Sequence, residues 1–323
     1  MSLDSHNMLE TLRQFPVQCR KALDLPRGMA AKKNVSSIVI AGMGGSAIGG
    51  DLLKSYLSDI NIPIFVVRDY KMPSFVDKYS LVFPVSYSGN TEETLSAFRD
   101  AKSKGAQIFS VTSGGKLGAE SEKWIKIPSG MQPRAALGYL FFPILGILHN
   151  TGIANVKNNE LNEMLALIKS SKEIEEGADA LAKKLKDKIP IIYSSNEMAP
   201  VAMRWKTQFN ENAKMPCFFN TFSEMNHNEI EGLRGMDRKF AAVILKSQHD
   251  SERVRKRMNI TRDLMQERID VEEVKVKGDS LLARLVYSAY LGDFVSYFLA
   301  IRNRVDPTPV EVIEALKKKL VEN

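Results

Sequence analysis

The sequence predicts an α/β protein built as two halves in tandem, each a parallel sheet flanked by helices. Three observations carry that expectation. Short runs of continuous apolar and β-branched residues recur along the chain, as strands buried on both faces require. Each run is followed by a stretch of helical periodicity, and parallel strands need such crossovers. The chain has 323 residues, which at roughly 150 residues per domain gives about two domains.

The elements follow in order. Residues 8–32 read as a helix followed by a Pro-containing lead-in. Residues 37–41, Ser-Ile-Val-Ile-Ala, are the first strand, with glycines and a helix over 47–57 behind it. Strands follow at 64–67 and 81–85, then a helix over 91–104 that Gly105 stops. Residues 107–111 are a fourth strand, 124–127 an edge strand, and an apolar helix over 134–148 closes this half. A charged stretch, 159–188, reads as a solvated connecting helix. Alternation then resumes: strand 190–194, helix 199–213, strand 240–245, basic helix 251–267, strand 271–276 and a long apolar helix 280–304. Asp306-Pro307-Thr308-Pro309 starts a last short helix. The expected domains are residues 1–153, a connecting segment 154–188, and residues 189–323. The halves are alike in pattern, without a direct sequence repeat.

Composition excludes several classes. Apolar residues make up 44% and charged residues 26%, values that exclude collagen-like, disordered and disulfide-scaffold chains. Two cysteines, Cys19 and Cys217, are too few for a disulfide framework. No Cys/His cluster points to zinc, and no metal is expected. The N-terminus lacks a basic region followed by an apolar core, so no signal peptide is expected. The longest apolar run, Ala135 to Leu148, is 14 residues, too short to span a bilayer. A cytoplasmic protein is the expectation. Net charge is +7, which favours an anionic partner without saying which anion.

Two loops narrow the anion. After the first strand comes Gly42-Met43-Gly44-Gly45-Ser46-Ala47. Gly42, Gly44 and Ala47 fit the dinucleotide pattern G-x-G-x-x-A, with Asp69 as its ribose acid. The same glycines serve equally as a tight turn that presents helix N–H groups to any phosphate, or as a turn with no ligand. After the third strand comes Ser86-Tyr87-Ser88-Gly89-Asn90-Thr91-Glu92-Glu93-Thr94. Here three hydroxyls surround a glycine where a helix begins. Thr91 or Asn90 can cap that helix, but capping alone does not call for three hydroxyls. Hydroxyls at a positive helix end suit a phosphate dianion, and a dinucleotide fold does not need this second loop.

Together, Gly42 to Ser46 and Ser86 to Thr94 resemble the signature of sugar isomerase (SIS) domains. The resemblance implies flavodoxin-like αβα sandwiches and a phosphosugar whose phosphate is held by Gly45, Ser46, Ser86, Ser88 and Thr91. Two such domains in about 320 residues resemble the bifunctional phosphoglucose/phosphomannose isomerases. The resemblance runs from about residue 35 to the C-terminus.

Aldose–ketose isomerisation needs a proton-shuttling base, a group that steadies the enediolate, and an acid/base that opens the sugar ring. Of the four histidines, His227 alone lies in a dense polar cluster, Phe222-Ser223-Glu224-Met225-Asn226-His227-Asn228-Glu229-Ile230. On chemistry alone it is equally a helix-start histidine. The family carries Asn-His-Asn-Glu here, and the resemblance implies that His227 opens the ring and is donated across a dimer interface. Glu211, in Gln208-Phe209-Asn210-Glu211-Asn212-Ala213-Lys214, matches the family's base. Glu224 is a rival carboxylate, better read as a cap or a supporting partner. Arg134, after Pro133, matches the enediolate partner, and a guanidinium fork suits that planar species. Thr308 and Lys317 match groups on the sugar side. The implied substrates are glucose 6-phosphate, mannose 6-phosphate and fructose 6-phosphate, with no cofactor, nucleic acid or membrane.

Two other classes stand beside this reading. A phosphosugar-binding regulator would keep the serine loop and lose the base; such regulators usually carry a helix-turn-helix, for which the first 32 residues are too short. An NAD(P)-binding dehydrogenase would use Gly42 to Ala47. The amidotransferase that makes glucosamine 6-phosphate also has tandem SIS domains, but its glutaminase domain is not in this sequence.

Overall fold

The computed structural model describes residues 3–322, and the chain divides into two compact units. An N-terminal unit comprises Gln14–Lys169 and Lys277–Tyr287; a C-terminal unit comprises the residues up to Arg13, Ser170–Val276 and Ser288 onward. The expected connecting segment 154–188 is therefore shared. Its helix breaks at Ser170 into Asn158–Lys169 and Ser171–Leu185, one in each unit. Side-chain contacts between distant segments explain the grouping. Arg13 pairs with Glu175 at 2.8 Å, and Glu163 accepts the backbone N–H of Asp279 at 2.5 Å and of Ser280 at 3.1 Å.

In the N-terminal unit, β1 (Ser37–Ala41), β2 (Ile64–Val67), β3 (Ser80–Pro84) and β4 (Gln107–Ile108) form a parallel sheet in the order β2-β1-β3-β4. The expected strand 107–111 is interrupted: Phe109 donates its N–H to Val82 at 3.0 Å, and β5 (Ser110–Thr112) then pairs with β6 (Trp124–Lys126). A bridge between Val85 and Val111 ties β5 back to the end of β3. Ile38, Val39 and Ile40 are fully buried, as a continuous apolar run in a doubly covered sheet must be. One face packs Val39, Ala41 and Val82 against Ala97 and Ala101. The helix Leu137–Asn150 is apolar almost all round and correspondingly buried. Residues 8–32 form two short helices, Met8–Arg13 and Phe15–Asp24, because Pro16 tolerates a first helical turn but not a helix interior.

The C-terminal unit repeats the topology. β7 (Ile189–Ser194), β8 (Phe218–Thr221), β9 (Phe240–Lys246) and β10 (Asp270–Lys275) lie in the order β10-β9-β7-β8, all parallel. Each sheet thus places its first strand beside its third. In this strand order ligands bind outside the carboxyl ends of those two strands, where successive crossovers diverge. The strand β8 has no counterpart in the sequence reading. It is short, lies at the sheet edge, and leaves Phe218 and Phe219 exposed, so no buried run announces it. Among the described residues no helix is long and apolar enough to cross a membrane.

Candidate active site

In the N-terminal unit the glycine loop follows β1 and the serine loop follows β3, so both lie at the divergence point. Gly42 is obligatory: a Cβ there would stand 2.8 Å from the Val85 carbonyl oxygen. The helix Gly44–Tyr56 starts with no side-chain cap. Ser46 is buried, and its Oγ accepts the Tyr87 N–H at 3.4 Å, which links the two loops. Ser86 Oγ lies 2.9 Å from Thr91 Oγ1 and accepts the Gly89 N–H at 3.1 Å. Ser88 Oγ accepts from Asn90 N at 3.3 Å. Gly89 has φ +71°, and any side chain there would run into the Gly114 backbone.

Thr91 occupies the N-cap position of the helix Glu92–Ser103, yet no side chain caps that helix. This corrects the capping expectation: Thr91 turns its hydroxyl to Ser86, and the Asn90 amide oxygen accepts the Lys116 N–H at 3.1 Å instead. Two helices therefore begin beside these hydroxyls with first-turn N–H groups that no side chain satisfies, a field suited to an anion.

Arg134 sits in a 3-10 turn, Pro133–Ala135, and is 4% exposed. The turn lies directly on the glycine loop, since a Cβ on Gly45 would be 3.0 Å from Arg134 Cα and 3.3 Å from the Pro133 carbonyl oxygen. Gln18 braces it by donating to the Ala135 carbonyl at 3.0 Å, and the Tyr87 hydroxyl accepts the Met131 N–H at 2.9 Å. Gly45, Ser46, Ser86, Ser88, Thr91 and Arg134 are thus gathered in one unit.

Glu211 is the last residue of the helix Ala199–Glu211 in the other unit. A buried polar ladder fixes that helix. Arg204 pairs with Asp293 at 2.7 Å, Gln208 donates to the other Asp293 oxygen at 2.8 Å, and Asn212 donates to Ser296 Oγ at 2.8 Å. Positions 204, 208 and 212 share one helix face, and Glu211, three residues after Gln208, lies at the edge of that face, half-buried. Glu211 lines a cleft of about 750 Å³ with Asn210, Lys214, Asp306, Pro309 and Val310. Lys214 ties the cleft together, donating to the carbonyls of Glu211 at 2.5 Å and Pro309 at 2.6 Å. Thr308 is 2% exposed, with its N–H on Asp306 at 2.9 Å. Lys317 is exposed on the helix Glu311–Glu322. Neither Thr308, Lys317 nor His227 is among the residues that line this cleft.

His227 is presented differently. Its neighbours in the motif hold the turn. Asn226 donates to Thr261 Oγ1 at 2.9 Å, Asn228 donates to Glu224 at 2.5 Å, and Glu229 accepts from the Tyr193 hydroxyl at 2.6 Å and from Asn220 at 2.5 Å. The His227 ring is exposed. Glu224 takes part in this turn as the acceptor of the Asn228 amide. The sequence reading missed Tyr193 and Asn220; a tyrosine hydroxyl at the end of an otherwise apolar strand was the available signal.

Residues 32–144 match the SIS domain family, and residues 174–320 match the family described as bacterial phospho-glucose isomerase C-terminal SIS domain. With the repeated parallel sheets, these matches define the class: a protein of two SIS domains in tandem. The chain is 43% identical to a bifunctional phosphoglucose/phosphomannose isomerase of Caldicellulosiruptor bescii, covering 98% of this chain and 99% of that one. It is 42% identical to a protein of the same name from Thermoplasma acidophilum, over 88% and 90% of the two chains. In fold it resembles the C-terminal domain of a glucosamine-fructose-6-phosphate aminotransferase from Francisella tularensis, with a TM-score of 0.75, 18% identity and 95% and 99% coverage. The chain belongs to the family of bifunctional phosphoglucose/phosphomannose isomerases.

Proposed function

We propose that this chain interconverts glucose 6-phosphate and mannose 6-phosphate with fructose 6-phosphate. Ser46, Ser86, Ser88 and Thr91, with the N–H groups around Gly45, hold the 6-phosphate. His227 opens the pyranose ring. Glu211 takes the C2 proton and returns it to C1, and the Arg134 guanidinium steadies the negative oxygen of the cis-enediolate between these steps. Both aldoses give the same enediolate, because C2 loses its configuration with its proton, so one set of groups serves both epimers. Thr308 and Lys317 act from the sugar side, Thr308 by shaping the room available to C2 and C3. The proton transfer calls on no metal or nucleotide. The protein works in the cytoplasm as a homodimer, with His227 contributed across the subunit interface; the exposure of that ring supports this arrangement.

The observation that carries the reading is the hydroxyl loop. Ser86 and Thr91 lie 2.9 Å apart beside two helix starts without side-chain caps, in a chain that matches curated isomerases of that name end to end. The test is a coupled assay on the purified protein with each aldose phosphate in the presence of EDTA. Turnover of both substrates is expected with chelator, and its disappearance would overturn the metal-free mechanism. Glu211→Gln is expected to lower kcat by at least about 100-fold; near-normal turnover would remove Glu211 as the base.

A further inference from the structure

The sheet of the C-terminal unit ends in a hydrogen-bond clamp next to His227. Tyr193 is the penultimate residue of β7, and in the strand register it stands directly beside Asn220 of β8. Both aim at one carboxylate: Glu229 accepts from Tyr193 at 2.6 Å and from Asn220 at 2.5 Å, one partner on each oxygen. The Tyr193 ring is fully buried against Phe222 in the apolar core, so the donor belongs to the rigid part of the unit. Burial and the adjoining Glu229 carboxylate push the phenol well above its ordinary value, which keeps it a donor at any working pH. Glu229 opens a 3-10 turn, Glu229–Gly235, two residues after His227, and its own N–H is capped by Asn228 at 2.6 Å. On the other side Asn226 is bonded to the buried Thr261. His227 is thus held between two fixed points, and its imidazole carries no side-chain partner among the described residues.

We infer that Tyr193 and Glu229 are positioning residues for His227: they set the orientation of its imidazole by fixing the turn that follows it, and they act on ring opening rather than on proton transfer between C1 and C2. This rests on the assignment of ring opening to His227. A backbone turn that loses its anchor shifts the ring it carries, and displacements near 1 Å cost about 100-fold in catalysis. Loss of one of two anchors is therefore expected to cost about ten-fold.

The test uses the purified enzyme and four variants: Tyr193→Phe, Glu229→Gln, His227→Ala, and the double variant Tyr193→Phe/His227→Ala. Steady-state kinetics with glucose 6-phosphate are combined with the rate of α/β anomer interconversion measured by NMR exchange. Tyr193→Phe and Glu229→Gln are each expected to lower kcat and anomer interconversion together, about ten-fold, with KM within two-fold. In the His227→Ala background Tyr193→Phe is expected to add less than two-fold, because a group that acts only through His227 has nothing further to lose. An equal loss in both backgrounds overturns the inference. So does a lowered melting temperature with both rates within two-fold of the parent, the signature of a merely structural hydrogen bond. If His227→Ala keeps the parental anomer rate, the assignment of ring opening falls and the inference with it; if only Tyr193→Phe and Glu229→Gln keep it, the clamp alone is refuted.

Discussion

Gly45→Ala probes how tightly the glycine loop abuts the Arg134 turn. Gly45 has an ordinary backbone conformation, so alanine introduces no backbone strain. Its methyl would stand 3.0 Å from Arg134 Cα and 3.3 Å from both the Arg134 nitrogen and the Pro133 oxygen. Carbon atoms pack best at about 3.5–4.0 Å, so the loop and the turn must part by roughly 0.5 Å. Overpacking of this kind costs about 1–3 kcal/mol, and alanine's advantage over glycine in a helix returns up to about 1 kcal/mol. The net loss is roughly 0–2 kcal/mol, a fall in Tm of at most about 8 °C for a unit of this size. The kinetic effect is larger in proportion. With about 100-fold lost per ångström of misplacement, kcat/KM is expected to fall about ten-fold. The assay is coupled isomerase kinetics alongside a thermal melt. Gly177→Ala is the control: it lies within the helix Ser171–Leu185 with nothing near its Cβ position, and stabilises without changing turnover. A Gly45→Ala enzyme with kcat/KM within two-fold of the parent would refute the reasoning, because the close approach would then have no hold on Arg134.

Two further predictions concern the scaffold. Asp293→Asn removes the charge that faces buried Arg204 and is expected to cost about 3–5 kcal/mol, or roughly 6–20 °C in Tm. The double replacement Arg204→Met/Asp293→Leu is expected to recover most of that loss, and calorimetry on both variants checks it. Glu163 gives a pH dependence. Burial raises its pKa, but the hydrogen bonds from Ser280 and from the N–H groups of Asp279 and Ser280 outweigh burial and leave it lowered. Its stabilising contribution is thus fully present above about pH 4.5, its ordinary value, and is lost as pH falls through the lowered folded value. Urea midpoints of parent and Glu163→Gln should differ at pH 7 and converge toward pH 3; a constant difference would refute the stabilising role of these hydrogen bonds.

The sequence by itself determined which residues belong to strands wherever they are buried on both faces, since Ile38 to Ile40 or Ala241 to Leu245 admit little else. It also determined the character of the two loops, because glycines at 42 and 89 and hydroxyls at 86, 88 and 91 express local chemistry that neighbours in the chain already define. It did not reveal β8, whose exposed residues follow no burial pattern, nor the sharing of residues 154–188 between units, which depends on pairs such as Arg13–Glu175 and Glu163–Ser280. Only the tertiary structure decided what the side chains around the candidate site do. Thr91 reads as a helix cap in sequence and bonds Ser86 in space. Asn226, Asn228 and Glu229 read as one polar motif with His227, yet three of the four hold the turn, and the partners that hold them come from residues 193, 220, 224 and 261. For the pairs that join distant segments, Glu229 with Tyr193 and Asn226 with Thr261, the physical reason is range. Periodicity and turn chemistry act over a few residues, whereas a hydrogen bond across a parallel sheet joins positions whose separation is set by crossovers that the local sequence does not encode.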